Sequence, residues 1–502
     1  MKRKLRLVTW NVNGLRAVLQ RLEQNLQQFL ESLEADIICL QESKLTRSEL
    51  DEELVRPPGF DAFYSFCRHR GGYSGVVTFV KSDLPTVAAE EGLTGLWKTK
   101  DNVGHVGSLH NELPSKLVND LESEGRCIIT DHQAFVLLNT YCPALASSDR
   151  LEYKLQFHAL LEDRVNALRA ANKRVVVVGD INIAHREIDH CDPQAHRSDG
   201  NSFGDHPCRK WMDSFLGSSD ETSLSEPNRD EITGVTGVKL IDTYRHFHPD
   251  QAKAFTCWNT QTGARQTNYG TRIDYILVDP TFVECVSTCS IDAERVGSDH
   301  CPVAMSCTVE LETDSSTNIG ITAVLCAKKF AEFAGTQQSI KSFVVQSRSV
   351  GAENLSGQSV TSPVRSSLRS KKRGQQSITS FFSNSGTKRK APSYREVSWS
   401  EESSTYRMFS ESVRIVKTSE NRKPAEKEKL EWAQVLNGRP PPTPLCHCGQ
   451  PTVLRSVLKT NENWGRKFYV CTKPAGEKGN PDARCDFFKW ADNKGAKRPK
   501  TQ

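Results

Sequence analysis

Long apolar segments are missing from this chain of 502 residues, since no run approaches the roughly 18 residues that a membrane-spanning helix needs. The basic start at Met1 is followed by only a short apolar stretch that ends at Trp10, which is not the pattern of a secretory signal peptide. Hydrophobic residues make up only 37% of the chain, and the mean hydropathy is −0.52. We therefore expect a soluble intracellular protein, part of which stays unfolded.

The cysteines of the first 330 residues lack the short, fixed spacings of a disulfide framework. Twelve of the 16 cysteines are scattered there, which favours reduced thiols in a reducing compartment. A strong excess of one charge is missing as well, because 66 Lys and Arg against 61 Asp and Glu leave a formal net charge of +5. This excess permits a polyanionic partner without requiring one.

Apolar stretches rich in β-branched residues alternate with helical patterns over the first 310 residues. The predicted strands are Leu5–Thr9, Asp36–Leu40, Gly75–Val80, Ala134–Asn139, Arg174–Val178 and Ile273–Val278. Leu15–Leu33 and Leu151–Ala170 carry apolar residues on one helical face. We predict a fold of the α/β class, a four-layered α/β sandwich in which two packed mixed β-sheets are flanked by helices.

The composition changes at residue 311, after which polar and basic residues replace most apolar ones. The sequence therefore predicts an amino-terminal domain at 1–310, a disordered linker at 311–440, a small metal-bound β module at 441–492 and a basic tail at 493–502.

Two similar motifs interrupt the predicted linker, at 337–343 and 375–382. Because a disordered segment has no core to bury their aliphatic and aromatic residues, the repeat favours docking into a partner's groove, with chance hydrophobic residues as the alternative. Basic runs at 371–373 and 388–390 flank the second copy and are typical of nuclear import signals or of nonspecific nucleic-acid contacts. We expect a nuclear protein, and the sequence leaves a mitochondrial fraction open.

Seven short polar motifs each follow an apolar run in the first 300 residues. They are Trp10–Gly14, Leu40–Lys44, Asn139–Tyr141, Gly179–Asn182, Phe255–Trp258, Arg272–Tyr275 and Gly297–His300. A polar residue after a strand is most often a turn residue or a helix cap, so no single motif is specific. The set as a whole predicts one metal-dependent site that cleaves phosphodiesters.

Hydrolysis of a phosphodiester needs a hard cation, an oriented water and neutralisation of the charge that builds on phosphorus. The candidate metal ligands are Glu42, Asp299, Asn13, Asp180 and Asn182. Oxygen ligands without a cysteine or histidine cluster fit Mg²⁺ or Mn²⁺ rather than zinc.

The remaining candidates are acid–base groups. Asp180 and Asn182 end one apolar strand, which suits a base and a holder of water or phosphate. Asp274 is a candidate for orienting and charging the ring of His300, which would then face the phosphate.

The segment from Leu5 to Met305 resembles the exonuclease III class of apurinic/apyrimidinic endonucleases, within the DNase I-like superfamily of endonucleases, exonucleases and phosphatases. Its most specific pieces are Trp10–Arg16, Leu40–Lys44, Gly179–His185 and Gly297–Pro302. The resemblance implies Glu42 as a metal ligand and Asp180 as the residue that activates or aligns water. It also implies phosphate contacts from Asn11, Tyr141 and Asn182, and a pair formed by His300 and Asp274 at the phosphate.

Two departures from the better-known branch of that class are visible. Asn13 stands where that branch has Asp, and Cys142–Ala146 lacks the Asn expected three residues after Tyr141. Both are typical of the second eukaryotic branch, so the resemblance implies 3′-phosphodiesterase and 3′→5′ exonuclease activity with weaker AP endonuclease activity. The alternatives are a mainly AP-site endonuclease, a phosphoinositide phosphatase or RNA deadenylase of the wider superfamily, and a recruitment scaffold with a decayed site.

Phe255 and Trp258 are candidates for the wall of a pocket that holds a displaced or abasic nucleotide, with two core aromatics as the alternative. Double-stranded DNA with 3′ ends, gaps or abasic sites is the expected substrate. We expect no membrane contact, and a monomer is the default.

Four cysteines within 40 residues, Cys446, Cys448, Cys471 and Cys485, indicate structural zinc. His447 could replace one of the first two. The segment Pro444–Ala491 resembles the GRF-type zinc finger, which implies binding of single-stranded DNA. The residues proposed for that contact are Arg466, Lys467, Phe468 and Lys489.

The second linker motif matches the pattern Gln-x-x-aliphatic-x-x-aromatic-aromatic through Gln375, Ile378, Phe381 and Phe382. This pattern resembles a PCNA-interacting peptide. The first copy has Val344 in place of the last aromatic, so we expect it to bind more weakly, if at all.

Overall fold

The computed structural model describes residues 2–97, 99–145, 150–196, 202–216, 239–311, 322–333, 443–458 and 463–491. The described parts from both ends of the chain belong to one compact unit. Both linker motifs, with Gln375, Ile378, Phe381 and Phe382, and the basic runs and tail lie outside the described residues. In the described part, no helix has the length and apolar character needed to cross a membrane.

Seventeen strands and eight α-helices are described. The strands are β1 (Lys2–Asn11), β2 (Ile37–Gln41), β3 (Phe60–Ser65), β4 (Val76–Lys81), β5 (Ala88–Glu91), β6 (Cys127–Asp131), β7 (Val136–Tyr141), β8 (Val175–Asp180), β9 (Ile241–Asp242), β10 (Cys257–Trp258), β11 (Gly270–Thr271), β12 (Asp274–Val278), β13 (Val286–Ile291), β14 (Val303–Glu310), β15 (Val453–Ser456), β16 (Lys467–Val470) and β17 (Phe488–Trp490). The helices are α1 (Leu15–Leu22), α2 (Leu26–Ser32), α3 (Glu52–Val55), α4 (Ser115–Glu122), α5 (Leu151–Ala170), α6 (Pro207–Phe215), α7 (Thr243–Phe247) and α8 (Pro280–Val283).

Two six-stranded mixed sheets form the centre of the molecule. The first has the order β13-β14-β1-β2-β4-β3 and the second β5-β6-β7-β8-β12-β9. In each sheet one central pair is parallel, β1 with β2 and β7 with β8, while the other described pairs are antiparallel. Apolar side chains from both sheets, such as Leu7, Val76, Val176 and Ile276, share one core cluster.

Helices cover the outer face of each sheet. Leu15 of α1 and Leu30 of α2 pack in one core cluster with Ile38 of the first sheet. Leu160 of α5 packs in another with Val177 of the second sheet. The four-layered α/β sandwich predicted from the sequence is therefore confirmed.

The strand registers bring several predicted site residues to one edge of the sandwich. Asn11 at the end of β1 pairs with Gln41 at the end of β2. Asp180, the last residue of β8, pairs with Tyr141 of β7 on one side and with Asp274 of β12 on the other. The ends of four strands and the start of a fifth thus meet at the same place.

The single helix predicted over Leu15–Leu33 is broken into α1 and α2. Glu23 adopts a left-handed conformation with φ of 54° and ends α1. The side chain of Asn25 accepts a hydrogen bond from the backbone N–H of Gln28, and the Gln28 side chain accepts one in return, so a capping box starts α2. Local hydrogen bonding therefore overrides the continuous apolar periodicity.

The amino-terminal domain extends beyond residue 310, because residues 322–333 pack against it although the sequence placed them in the linker. The side chains of Ala323, Cys326 and Ala327 are almost fully buried. Lys328 forms an ion pair with Asp61 at 2.5 Å. Eight of the twelve residues in this segment are apolar, and this local apolar stretch inside the predicted linker docks it on the domain.

Candidate active site

Five of the predicted side chains converge at the shared edge of the two sheets. The amide of Asn11 donates hydrogen bonds to Glu42 Oε1 at 3.0 Å and to Asp180 Oδ2 at 2.9 Å. His300 Nδ1 lies 2.8 Å from Asp274 Oδ2, and its Nε2 lies 3.9 Å from Asp180 Oδ2. Side chains separated by up to 289 positions in the chain therefore form one polar cluster.

The backbone after the strands turns sharply to place these side chains. Asn13, Glu42 and Asn182 each have a positive φ, of 49°, 51° and 57°. Such left-handed conformations cost a non-glycine residue about 1 kcal/mol or more, so the surrounding contacts must hold them. Ser298 is one such support, since its Oγ donates to the carbonyl oxygen of Asn11 at 2.7 Å.

The environment of His300 favours the imidazolium form. Burial on its own would lower the pKa of His300, but the Asp274 carboxylate and the Cys257 thiol raise it well above its ordinary value. Thr256 Oγ1 donates to the same Asp274 oxygen at 2.6 Å and fixes that carboxylate. The pair can therefore present a positively charged hydrogen-bond donor to an anion.

The carboxyl group of Asp180 is the most perturbed acid of the cluster. Its pKa is raised to about 7: burial is the largest cause and the charges of Asp274 and Glu42 act in the same direction, whereas His300 and the Asn11 hydrogen bond lower the pKa. A carboxylate with a pKa near neutrality is suited to accept a proton from water.

Glu42 and Asp299 belong to a second group of oxygens joined by Asn13 and Lys44. The Asn13 amide donates to Asp299 Oδ1 at 3.0 Å, and Lys44 Nζ donates to Asn13 Oδ1. Lys44 Nζ also lies 3.0 Å from Glu42 Oε2. A cationic group thus lies between carboxylate and amide oxygens, and this donor set fits a hard divalent cation.

Tyr141 and Asn182 border the cluster. Burial, followed by the charges of Glu42 and Asp180, raises the pKa of Tyr141, so its hydroxyl stays a hydrogen-bond donor. The backbone N–H of Asn182 donates to Asp180 Oδ1, and its side-chain amide donates to the carbonyl oxygen of Cys142, both at 2.9 Å. All of the predicted catalytic residues therefore lie at this edge.

The carboxy-terminal module gathers its four predicted zinc ligands. The sulfur atoms of Cys446, Cys448, Cys471 and Cys485 all lie within 4.8 Å of one another. Tetrahedral zinc with bonds of roughly 2.3 Å spaces its sulfur ligands by roughly 3.8 Å, so the set fits zinc. His447 does not belong to this cluster, and its Nδ1 lies 2.8 Å from Asp486 Oδ1.

Two family models match this chain. The model described as endonuclease/exonuclease/phosphatase family matches residues 8–300, and the model of the GRF zinc finger matches residues 444–494. DNA-(apurinic or apyrimidinic site) endonuclease 2 of Xenopus laevis is 35% identical over 98% of this chain and 99% of its own length. The chain belongs to this branch of the endonuclease/exonuclease/phosphatase family.

Further relatives agree with this assignment. The endonuclease 2 of Mus musculus is 36% identical over 97% of this chain and 99% of its own length. The crystal structure of the Xenopus laevis APE2 catalytic domain is similar with a TM-score of 0.56 and 38% identity, and covers 67% of this chain and 100% of that one.

The active-site side chains of this endonuclease/exonuclease/phosphatase chain are held in place by several buried residues. The sequence motifs do not include these residues. Lys154 of α5 donates to the carbonyl oxygens of Pro143, Ile181 and Asn182 at 2.7, 3.3 and 3.2 Å. It thereby joins the loops that follow β7 and β8. The sequence does hold one sign of this role, because Lys154 falls on the apolar face of the predicted helix Leu151–Ala170.

A second supporting network consists of buried ion pairs around Arg272, two residues before Asp274 in the chain. Arg272 is 1% exposed and forms ion pairs at 2.8 Å with both Asp189 and Asp242. Arg245 pairs with the same Asp189 oxygen at 2.5 Å. Because these charges come from distant segments, no motif in the sequence connects them.

The two aromatic residues predicted as pocket walls have different surroundings. Trp258 lines a cavity of ≈ 610 Å³ together with Cys257, Thr271 and Asp299. Phe255 and Trp258 are each 3% exposed and share one core cluster with Cys301, but Phe255 does not line this cavity. Neither ring leaves much surface for a nucleotide to stack on, and of the two only Trp258 borders the cavity.

The residues predicted to bind single-stranded DNA lie on two faces of the zinc finger sheet. Phe468 stacks on Phe488 with ring centroids 5.2 Å apart, and the Arg466 guanidinium lies 3.7 Å from the Trp490 ring centroid. Lys467 is next to Phe468 and therefore on the opposite face of the strand. Lys489 shares that opposite face, since it is paired with Tyr469.

Proposed function

We propose that this chain is a DNA repair nuclease that hydrolyses DNA phosphodiester bonds as a 3′-phosphodiesterase and 3′→5′ exonuclease, with weaker AP endonuclease activity. The observation that carries the proposal is the convergence of Asn11, Glu42, Asp180, Asp274 and His300 at one edge of the sandwich. The relatives whose whole length this chain covers are named DNA-(apurinic or apyrimidinic site) endonuclease 2, which supports DNA as the substrate.

A divalent ion, Mg²⁺ or Mn²⁺, fits the oxygens of Glu42, Asp299 and Asn13, and Asp180 and Asn182 are nearby oxygen donors. When bound, such an ion supplies positive charge to the phosphoryl oxygens. Asn13 offers a neutral amide oxygen where a carboxylate would add charge, so we expect weaker metal affinity than an all-carboxylate set would give.

We assign the acceptance of a proton from water to Asp180 and the stabilisation of the phosphate charge to His300. Asp180, with its raised pKa, accepts a proton from the attacking water, which its neighbour Asn182 helps to hold. His300, kept charged by Asp274, donates hydrogen bonds to the phosphate. Asn11 and the Tyr141 hydroxyl stabilise the negative charge that builds on the phosphoryl oxygens.

The other proposed partners follow from the appended segments. The zinc finger binds single-stranded DNA through Arg466 and Phe468 on one face or Lys467 and Lys489 on the other. The segment 375–382 binds PCNA, and the basic runs direct the chain to the nucleus; these segments lie outside the described residues. We propose that the protein acts as a monomer.

The test uses a 3′-recessed duplex and a duplex with an internal abasic analogue, each with Mg²⁺, Mn²⁺ or a chelator. We expect release of 3′ nucleotides to exceed incision at the analogue, and the chelator to abolish both. Faster incision than release would support the alternative of a mainly AP-site endonuclease. No cleavage of either duplex, with Glu42→Gln indistinguishable from the parent, would instead support a recruitment scaffold.

A further inference from the structure

The zinc finger touches the nuclease beside the Trp258 cavity. The backbone N–H of Ala475 donates to the carbonyl oxygen of Thr262 at 2.9 Å, and Thr267 Oγ1 donates to the carbonyl oxygen of Ala475. Ala475 is 5% exposed and shares a small apolar cluster with Trp258 and Ala264. A finger residue therefore forms part of the core that supports the cavity.

The contact is close and is reinforced at its edge. A Cβ atom added to Gly476 would lie 3.2 Å from Thr267 of the nuclease and 2.7 Å from Ala483 of the finger. Lys253 Nζ forms an ion pair with Glu477 at 2.8 Å. Any side chain at position 476 would push the finger and the nuclease apart. Glycine at this position therefore permits the close contact.

Docking brings a basic residue of the finger to the cavity. The backbone N–H of Arg484 donates to the carbonyl oxygen of Pro474 at 2.7 Å, which ties Arg484 to the docked loop. Arg484 and Ala475 line the same ≈ 610 Å³ cavity as Trp258, Cys257 and Asp299. The nuclease supplies one part of this wall and the finger supplies the other.

We propose that the zinc finger completes the pocket for the 3′ end of DNA, and that Arg484 binds the phosphate backbone of the strand whose terminal nucleotide enters the Trp258 cavity. This inference rests on the proposed exonuclease function and names a binding residue for it outside the nuclease domain. The volume lies in the ordinary range for small-ligand sites, roughly 300 to 1,000 Å³.

Charge supports this role for Arg484. The nuclease wall of the cavity contributes the carboxylate of Asp299, and His300 with its Asp274 partner lies directly behind Cys257. Incoming phosphates meet the Asp299 carboxylate at this entrance, and the Arg484 guanidinium, which the finger contributes to the same cavity, offsets that repulsion. Arginine binds phosphate through two parallel hydrogen bonds, which also fixes the register of the strand.

The first test compares Arg484→Ala and Arg484→Lys with the parent chain in single-turnover release of the 3′ nucleotide from a 3′-recessed duplex. We expect Arg484→Ala to slow release about tenfold, the usual effect of losing one charged hydrogen bond, and Arg484→Lys to recover part of it. Lys478→Ala, which removes a positive charge from an exposed site away from the cavity, serves as the control and should stay within about twofold.

The second test separates the docked pocket from general DNA binding by the finger. Ala475→Glu should undock the finger, raise hydrogen exchange of residues 260–268, and slow nucleotide release as much as Arg484→Ala. Zinc content and affinity for an oligo(dT) strand should remain those of the parent. Equal losses of oligo(dT) affinity and nucleotide release in Arg484→Ala would overturn the inference, since Arg484 would then be a general strand contact.

The inference and the proposed function fail in different ways. A parent chain that releases no 3′ nucleotide with Mg²⁺ or Mn²⁺ refutes the exonuclease itself. An active parent whose Arg484→Ala variant releases nucleotides at the parent rate refutes only the composite pocket. Arg484→Ala leaves the contact of Ala475 with the nuclease intact. Its nucleotide release rate therefore tests the composite pocket even if Ala475→Glu folds poorly.

Discussion

Asp180 combines burial with four polar neighbours of different charge, His300, Asp274, Asn11 and Glu42, and this combination sets its pKa. A water-activating role needs the carboxylate itself, whereas an amide of the same shape cannot take up the proton. We expect Asp180→Asn to lower the single-turnover cleavage rate by about 10²- to 10⁴-fold, the range for loss of a general base. The measurement uses saturating enzyme and metal. A change smaller than threefold, with unaltered circular dichroism, would remove Asp180 from the mechanism.

His132 illustrates a residue whose titration affects stability rather than catalysis. It is fully buried, with Nε2 2.9 Å from Thr130 Oγ1 and Nδ1 3.1 Å from the Pro85 carbonyl oxygen. Burial lowers its pKa from 6.5 to about 4. Because the folded state holds the neutral ring, this stability contribution is fully present above pH 6.5 and is lost as pH falls to about 4.

The expected contribution of His132 to this loss is about 3 kcal/mol between those limits. Urea unfolding of the parent and of His132→Gln at several pH values measures it. The free energy of unfolding of the parent should fall more steeply on acidification than that of the variant. Parallel curves would show that the imidazole does not cause the pH dependence.

At the scale of elements, α5 does more than cover a sheet, because its Lys154 joins the ends of β7 and β8. Burial lowers the pKa of this ammonium group, but three carbonyl oxygens surround it. Removing it leaves those acceptors unpaired and frees the loop that carries Asn182.

We expect Lys154→Met to reduce kcat at least tenfold with a smaller change in KM, since the residue positions the catalytic loop and does not touch DNA. Steady-state kinetics on the 3′-recessed duplex provides the measurement. Lys210→Met, which removes an ion pair between the exposed side chains of Lys210 and Asp205, is the matched control and should retain parent kinetics. A loss confined to KM would contradict a positioning role.

For the whole molecule, the zinc finger and the nuclease differ in what stabilises them. The finger has three short strands and few buried side chains, so metal binding must supply much of its folding free energy. We expect Cys471→Ala or a strong chelator to abolish binding of oligo(dT), while the main unfolding transition of the nuclease stays unchanged. Calorimetry and fluorescence anisotropy test this. An oligo(dT) affinity unaffected by zinc removal would contradict it.

Much of the architecture could be read from the chain because it depends on local patterns. The six predicted strands lie within or close to observed ones, and α5 has the predicted bounds of Leu151–Ala170. The predictions failed where short-range detail decided the outcome. Asn25 and Gln28 form a cap that splits a long apolar helix, and a short apolar stretch at 322–333 docks on the domain although it lies inside the predicted linker.

The sequence by itself determined which chemical groups this protein has: the oxygen ligands and acids of the nuclease, and four cysteines with zinc spacing. Only the tertiary structure decided their environment. The raised pKa of Asp180, the buried Arg272 network and the approach of Arg484 to the Trp258 cavity all depend on distances between residues far apart in the chain. Residue order specifies donors and acceptors, but burial and Coulomb interaction follow from spatial distance, which only the folded chain sets.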